Sequence, residues 1–249
     1  MQSKLRKFSF AGTLALVLLL SGCVTVYNPA TGKNEALFID TQTEVSLGQD
    51  LDRQMQKELK ILKNPEAQDK IEKIGSRVAF ASDRRDLAYH FRIVKDPELN
   101  AFAIPGGYVY VNSGLMQAAN EDELACVLGH EIGHIAARHS VKKLQSALGY
   151  QILLSIALGL SNQQNISRAT DIIYELISLG YSRQDEFLAD KLSARYAKRA
   201  GFNPKGMATF LEKLKEEAAG THYKPVFLSS HPDIEERIRA VENEIALNP

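Results

Sequence analysis

Five consecutive residues, His130 to His134, form the pattern best suited to chemistry in this chain of 249 residues. They read His-Glu-Ile-Gly-His and lie in a segment whose apolar periodicity predicts a helix. Positions i and i+4 share one face of a helix, so His130 and His134 can direct two imidazoles at one metal ion. Glu131 lies about 100° around the helix from His130 and can reach a water on that ion without ligating it. This arrangement is typical of zinc-dependent peptide hydrolysis.

A hydrolytic zinc site takes three protein ligands and keeps a fourth position for water, so one further ligand is needed. The candidate is Glu186, in the sequence Asp-Glu-Phe-Leu-Ala-Asp that ends at Asp190. The two carboxylates are one helical turn apart, so both can face the histidine helix. We expect Glu186 to ligate zinc and Asp190 to accept a hydrogen bond from a ligand histidine, which fixes its tautomer. Acidic pairs at this spacing are also common on solvated helices, so the assignment depends on the histidine motif.

The combination of H-E-x-x-H with a distant E-x-x-x-D resembles the gluzincin zinc metallopeptidases related to HtpX and the CAAX prenyl protease. The resemblance covers about residues 41–240 and includes the Asn-Ser-Gly-Leu run at 112–115. It implies a mainly helical, zincin-type α+β domain that binds one zinc ion and cleaves peptide bonds. It also implies a catalytic histidine at His231, which precedes Pro232; the alternative is a residue that only begins the following helix.

The resemblance further implies a substrate-binding edge strand, followed here by Pro-Gly-Gly at 105–107. Its residues would be Ala101, Phe102, Ala103 and Ile104. HtpX and the prenyl protease span membranes several times, and this chain lacks such segments. It is more similar to the periplasmic lipoprotein branch, of which BepA is a member, without the tetratricopeptide repeats of BepA.

The first 23 residues predict export and lipid attachment. Basic residues precede an apolar run at 8–20, which is too short to span a bilayer stably and ends in Leu-Ser-Gly-Cys. We expect residues 1–22 to be a lipoprotein signal peptide and Cys23 to carry lipid, with residues 23–40 as a tether and 41–249 as the metallopeptidase domain. An ordinary secretory signal with a coincidental cysteine is the alternative. The residue after Cys23 is Val24 rather than an aspartate, and by the usual sorting rule for lipoproteins this favours the outer membrane.

Composition excludes several other classes of protein. Formal net charge is zero, and 45% hydrophobic with 24% charged residues is ordinary for a globular domain. No basic excess indicates nucleic-acid binding. Cys126 is the one thiol besides Cys23, so no disulfide framework is expected; a buried, small apolar role fits it best.

Periodicity predicts helices over 41–62, 65–80, 120–145, 182–200, 203–217 and 232–246. Segments 89–94, 101–104 and 108–111 predict a small antiparallel sheet of about three strands. The histidine helix is expected to continue past His139, whose i+5 offset from His134 would turn it off the ligand face as a structural or surface residue. Apolar segments at 147–160 and 172–179 could form a helical hairpin that covers the active helix.

These residues predict a mechanism in which zinc on His130, His134 and Glu186 activates water and Glu131 is the general base. His231 would stabilise the oxyanion. An extended peptide could add to the edge strand, so the expected substrates are misfolded or unassembled envelope proteins at the periplasmic face of the outer membrane. The outer-membrane assembly machinery is a possible partner.

Two alternatives remain open. One is an assembly chaperone or latent peptidase that holds clients on the edge strand, with Ala147–Leu160 plugging the cleft. The other is a purely structural lipoprotein, for which the ligand set would be a coincidence.

Overall fold

The computed structural model describes residues 24–37, 39–220, Phe227, His231 and residues 233–247. The predictions for residues 1–22, Cys23 and Pro232 fall outside these residues. The described chain is mainly helical, with one sheet of two strands and one of three. The predicted α+β class is therefore confirmed.

The segment expected to be a tether contains a β-hairpin. Strand β1 (Val24–Asn28) pairs antiparallel with β2 (Lys33–Leu37) across the turn that Asn-Pro and Thr-Gly signalled. The hairpin is fixed to the helix that carries His130 and His134 (the active helix), because the Asn28 amide donates to the carbonyl of Ala136 at 3.1 Å. Lys142 also donates to Glu35 at 2.7 Å.

The first two helices begin at side-chain caps. Helix α1 (Thr41–Glu58) begins at the predicted residue and ends before the predicted residue 62; the Asp40 carboxylate caps it by accepting the amide N–H of Thr43 at 2.8 Å. Helix α2 (Pro65–Ala81) begins at the predicted residue, after Asn64, whose side chain accepts the Ala67 N–H.

The larger sheet contains β3 (His90–Val94), β4 (Ala101–Ile104) and β5 (Tyr108–Asn112) in the order β3-β5-β4. A tight turn at Pro105–Gly107, with Gly106 at φ 81°, makes β4 and β5 an antiparallel hairpin. Strand β5 then lies between the other two and runs parallel to β3. The prediction of an all-antiparallel sheet was therefore wrong, whereas the edge position of Ala101–Ile104 is confirmed.

The sheet has an apolar core on each face, so its strands alternate between two buried environments. Phe91, Ala101 and Val109 belong to the core formed with α2 and the helices that follow β5. Phe102 and Tyr110, whose rings stack at 4.8 Å, belong to a second core on the α1 side. A strand buried on both faces explains the nearly continuous apolar runs at 101–104 and 108–111.

The remaining helices follow the sheet. They are α3 (Ser113–Ala118), α4 (Glu121–Ala136), α5 (His139–Leu148), α6 (Tyr150–Ala157), α7 (Gln163–Leu179), α8 (Arg183–Arg199), α9 (Gly206–Gly220) and α10 (Ile234–Leu247). Helices α6 and α7 form the hairpin predicted from the apolar segments. Among the described residues, no helix combines the length and apolarity needed to cross a membrane.

The active helix α4 is shorter than predicted. It begins at a capping box between Asn120 and Glu123 and ends at Ala136. Arg138 then adopts a left-handed conformation, with φ 57° and ψ 35°, and α5 starts in a new direction. The prediction of one helix continuing to about residue 145 was wrong, because periodicity does not reveal a single left-handed residue.

Candidate metal centre

Two glycines on α4 allow α8 to pack unusually close. A Cβ atom on Gly129 would lie 3.2 Å from Cα of Ser193, and one on Gly133 would lie 3.1 Å from the carbonyl oxygen of Ala189. Ser193 also donates to the carbonyl of Cys126 at 2.6 Å. This close contact places the first turns of α8 directly opposite the histidines of α4. The Cys126 side chain is fully buried, as predicted, and burial raises the pKa of its thiol to about 12.

The three predicted ligands converge. Nε2 of His130 and Nε2 of His134 are 3.0 Å apart. The Glu186 carboxylate places Oε2 3.5 Å from the first nitrogen and Oε1 3.4 Å from the second. Ligand atoms about 2.1 Å from a tetrahedral zinc lie roughly 3.4 Å from one another, so these separations suit that ion.

A fourth donor, His231, completes the cluster. Its Nδ1 lies 3.3 Å from Nε2 of His130 and 2.8 Å from Oε2 of Glu186. One donor atom from each of the four residues lies within 4.8 Å of all the others. The His231 ring is held by Phe227, which stacks on it at 4.2 Å. The sequence indicated His231 near the reaction centre, but not at ligand distance.

Burial and charge provide an independent test of the fit to a divalent cation. Glu131, Glu186 and Asp190 are almost completely buried, and the guanidinium of Arg237 is the cation packed among them. When the imidazoles are neutral, as metal ligation requires, these three carboxylates against the Arg237 guanidinium leave two negative charges to be balanced. Oε1 of Glu131 and Oε1 of Glu186 have no hydrogen-bond partner among the described residues. A divalent ion would supply both the charge and a partner for Glu186.

Asp190 supports His130 as predicted. Nδ1 of His130 donates to Oδ1 of Asp190 at 2.8 Å, which leaves Nε2 free to ligate. Arg237 donates to both oxygens of the same carboxylate at 2.7 Å and to the carbonyl of His231 at 3.1 Å. Burial raises the pKa of the Asp190 carboxyl, but the Arg237 guanidinium outweighs it and lowers that pKa.

Arg237 was not predicted as a functional residue. The sequence does contain an indication, because Arg237 lies on the face of α10 defined by Ile234, Ile238 and Val241, where an apolar residue would be expected. A fully buried arginine on such a face requires an anionic partner. Here that partner is Asp190, and Arg237 thereby links the Asp190 carboxylate to the backbone of His231.

His134 has a different support. Its Nδ1 lies 2.8 Å from Nδ1 of the buried His139, and its ring stacks on Tyr181 at 4.2 Å. The left-handed Arg138 turns α5 so that His139 returns to the ligand face, which a continuous helix would not allow. The expected structural role of His139 fits, but its expected orientation was wrong. Burial lowers the pKa of both imidazoles, to about 4 for His134 and about 3 for His139, so both are neutral and His134 can ligate.

Glu131 is placed for proton transfer. Its side chain is 1% exposed, and Oε1 lies 4.0 Å from Nε2 of His231. Burial raises the pKa of this carboxyl above its ordinary value, which strengthens it as a base. It faces the donor cluster from the same helix without belonging to it.

The predicted substrate strand borders the cluster, but it is covered. A cavity of about 10 Å³ separates β4 and Glu131 from α7, whose Ile173, Leu176 and Ile177 form the opposite wall together with Tyr181. That volume holds about one water molecule. All four residues Ala101–Ile104 are buried. Helix α7 of the hairpin therefore closes the cleft beside Glu131 of the active helix, whereas α6 packs against α1.

Comparison with known proteins identifies the family that this site represents. The profile of Peptidase family M48 matches residues 65–245, from the start of α2 almost to the end of α10. The chain belongs to this family. The M48 match includes all four donors of the cluster, and it confirms the predicted class of zinc metallopeptidase and its single zinc cofactor.

Individual M48 relatives are similar over most of this chain. The beta-barrel assembly-enhancing protease of Escherichia coli is 29% identical over 229 residues, covering 86% of this chain and 46% of that protein. Metalloprotease YcaL of the same species is 30% identical, covering 71% and 72%. Mitochondrial metalloendopeptidase OMA1 of Schizosaccharomyces pombe is 30% identical, covering 69% and 51%. The chain thus spans about half the length of the first of these relatives.

Proposed function

We propose that this protein is a zinc endopeptidase that cleaves unfolded or unassembled proteins of the bacterial envelope. The observation that carries the proposal is a buried His130–His134–Glu186 donor set beside a separate buried carboxylate, Glu131, at an edge strand. Binding alone has no use for such a base, so the arrangement favours catalysis over a chaperone function.

The residues divide the chemistry between them. His130, His134 and Glu186 would hold the zinc ion, which would supply Lewis-acid chemistry to polarise the scissile carbonyl and activate the attacking water. Glu131 takes the proton of that water and passes it to the leaving amine. Asp190 and Arg237 keep the His130 ring oriented throughout. Nε2 of His231 faces Glu131 and can donate to the developing oxyanion once the ring moves away from its ligand position.

Strand β4 can hold the substrate by main-chain hydrogen bonds. The amide of Asn112 donates to the carbonyl of Asn100, and bonded pairs alternate along an antiparallel ladder. Ala101 and Ala103 therefore direct their backbone groups away from β5, towards the free edge. A peptide added there needs an extended segment but little sequence identity. This supports unfolded segments as the substrate class.

The described conformation supports a latent resting state. His231 lies at the corner that a hydrolytic zinc site keeps for water, and α7 leaves about 10 Å³ beside β4. The His231 ring and helix α7 must both move before a peptide can bind. The latent peptidase anticipated as an alternative is therefore part of the proposal, although Ile173 and Leu176 of α7, rather than Ala147–Leu160, line the closed cleft.

The proposed location is the periplasmic face of the outer membrane, with lipid on Cys23 as the anchor. Two observations support it: the signal-like sequence that ends at Cys23 and the similarity to a beta-barrel assembly-enhancing protease. By the same similarity, we propose that outer-membrane assembly proteins are among its partners or clients.

The decisive experiment compares the zinc-loaded protein with its Glu131→Gln variant on an unfolded model protein. We expect cleavage only by the first, because the amide cannot accept a proton, while elemental analysis finds equal zinc in both. Cleavage by the variant at an undiminished rate would refute the role of Glu131. Zinc in both proteins without cleavage by either, even after His231 is replaced, would favour the chaperone function.

A further inference from the structure

A chain of three side chains, those of His139, Asp185 and Ser182, leads away from His134 of the donor cluster. Nδ1 of His134 lies 2.8 Å from Nδ1 of His139, and Nε2 of His139 lies 3.2 Å from Oδ1 of Asp185. Asp185 is fixed in turn by the hydroxyl of Ser182, which donates to its Oδ2 at 2.7 Å. The order is therefore Ser182, Asp185, His139, His134.

The proton positions in this chain follow from the cluster. Nε2 of His134 faces the other donors and needs its lone pair there, so the proton is on Nδ1. His139 can accept it only if its own Nδ1 is unprotonated, which places its proton on Nε2. That proton is then on the nitrogen that lies 3.2 Å from Oδ1 of Asp185, so the protonation states along the chain are compatible with one another.

The position of His139 is itself fixed by the backbone. Arg138 is left-handed, and its guanidinium is 3.4 Å from the buried Glu44 carboxylate and 3.1 Å from the Thr41 hydroxyl. These contacts with α1 hold the α4–α5 corner in the conformation that directs His139 back to His134. The left-handed conformation is unfavourable for a residue with a side chain, so the corner is maintained against a local penalty.

We propose that His139, backed by Asp185, is the residue that positions His134 for zinc binding. The inference rests on the proposed function, because it assigns His134 as a ligand. The two ligand histidines are thus supported differently: His130 by a carboxylate directly, and His134 by a neutral imidazole that a carboxylate orients. Loss of a partner that orients a metal ligand weakens metal affinity by about 10–100-fold.

The test measures zinc affinity by chelator competition, which does not depend on peptidase activity. His139→Leu should weaken zinc binding by about 10–100-fold. His139→Asn should restore affinity to within a few-fold, because its carbonyl oxygen can accept at the place of Nδ1. His139→Gln places its carbonyl oxygen one bond further from the backbone and should not restore zinc affinity. The visible absorption of the cobalt-substituted proteins should follow the same order, since it reports coordination geometry.

The matched control is the exposed His90 on β3, whose replacement by Leu should leave zinc affinity unchanged. Circular dichroism of the metal-free proteins checks that each variant is folded. Unchanged affinity in folded His139→Leu, or equal losses in the Leu, Asn and Gln variants, would overturn the inference. Zinc binding without cleavage by the wild type or by His231→Ala would refute the proposed function alone, and a wild-type protein that binds no zinc would refute both.

Discussion

At the scale of single residues, His231 has the most unusual position. It supplies a fourth donor through Nδ1, and the same ring presents Nε2 to Glu131 at 4.0 Å. Phe227 stacks on the ring, and Arg237 binds the backbone carbonyl. One histidine can therefore close the metal site in one position and contact a substrate oxyanion in another.

Replacing His231 by Ala removes both functions at once, so the direction of the change in cleavage rate shows which of them dominates. We expect faster cleavage of an unfolded protein and weaker zinc binding, because a donor is lost and the corner required by water is opened. Initial rates and chelator competition measure the two effects. A fall of about 100-fold in kcat would instead show that oxyanion stabilisation dominates.

At the scale of elements, the contact between α4 and α8 determines whether a metal site exists. Glu186 reaches the histidines only because Gly129 and Gly133 remove the side chains that would separate the helices. Each glycine inside a helix lowers helix stability by about 1 kcal/mol relative to alanine. The close approach of α4 and α8 is therefore accompanied by a local loss of helix stability.

Enlarging Gly133 should therefore weaken zinc binding in steps. Ala at this position needs a shift of a few tenths of an ångström against Ala189, and Val needs more. For Gly133→Val we expect a loss of about 1–3 kcal/mol in unfolding free energy from overpacking, together with weaker zinc affinity. Urea unfolding and chelator competition measure both. Gly159→Ala, where φ is +66° and a Cβ meets nothing within 4 Å, should lower the unfolding free energy but leave zinc affinity unchanged; equal losses of zinc affinity in both variants would contradict this account.

Features with short-range signals could be predicted from the sequence. The H-E-x-x-H helix, the Asn64 and Asn120 caps and the edge strand all depend on neighbouring residues, and the structure contains each of them. The insertion of β5 between β3 and β4 could not be predicted, because strand order depends on packing between distant segments. The left-handed conformation of Arg138 could not be predicted for a related reason: it is stabilised by contacts with α1, 94 or more positions away in the sequence.

At the scale of the whole molecule, two apolar cores enclose the sheet and bury several tyrosines. Tyr110 and Tyr196 are fully buried, and their hydroxyls donate to the carboxylates of Asp52 and Asp83. Burial, reinforced by those carboxylates, raises the pKa of both phenols, and burial raises the pKa of Tyr89 to about 12.

This burial predicts a loss of stability in alkali. Above pH 10 these phenols ionise in the unfolded chain while they remain protonated in the fold. The unfolded state then binds fewer protons, so the free energy of unfolding should fall as pH rises from 10 towards the folded-state pKa values. Urea midpoints at several pH values, with absorbance at the phenolate band, measure this. Tyr110→Phe keeps the Arg92–Asp52 pair and should show a smaller fall; an equal fall would exclude Tyr110 as a contributor.

Under the proposed function, the α7 wall over β4 would also determine how substrates are selected. Because the wall is part of the same chain, it competes for the strand as a tethered ligand whose effective concentration never falls. A client gains access only if its extended segment interacts with the strand and its neighbours more favourably than Ile173, Leu176 and Ile177 do. A folded protein has no free segment to offer in this competition. Helix α7 would thereby set a threshold that unfolded chains can pass and folded proteins cannot.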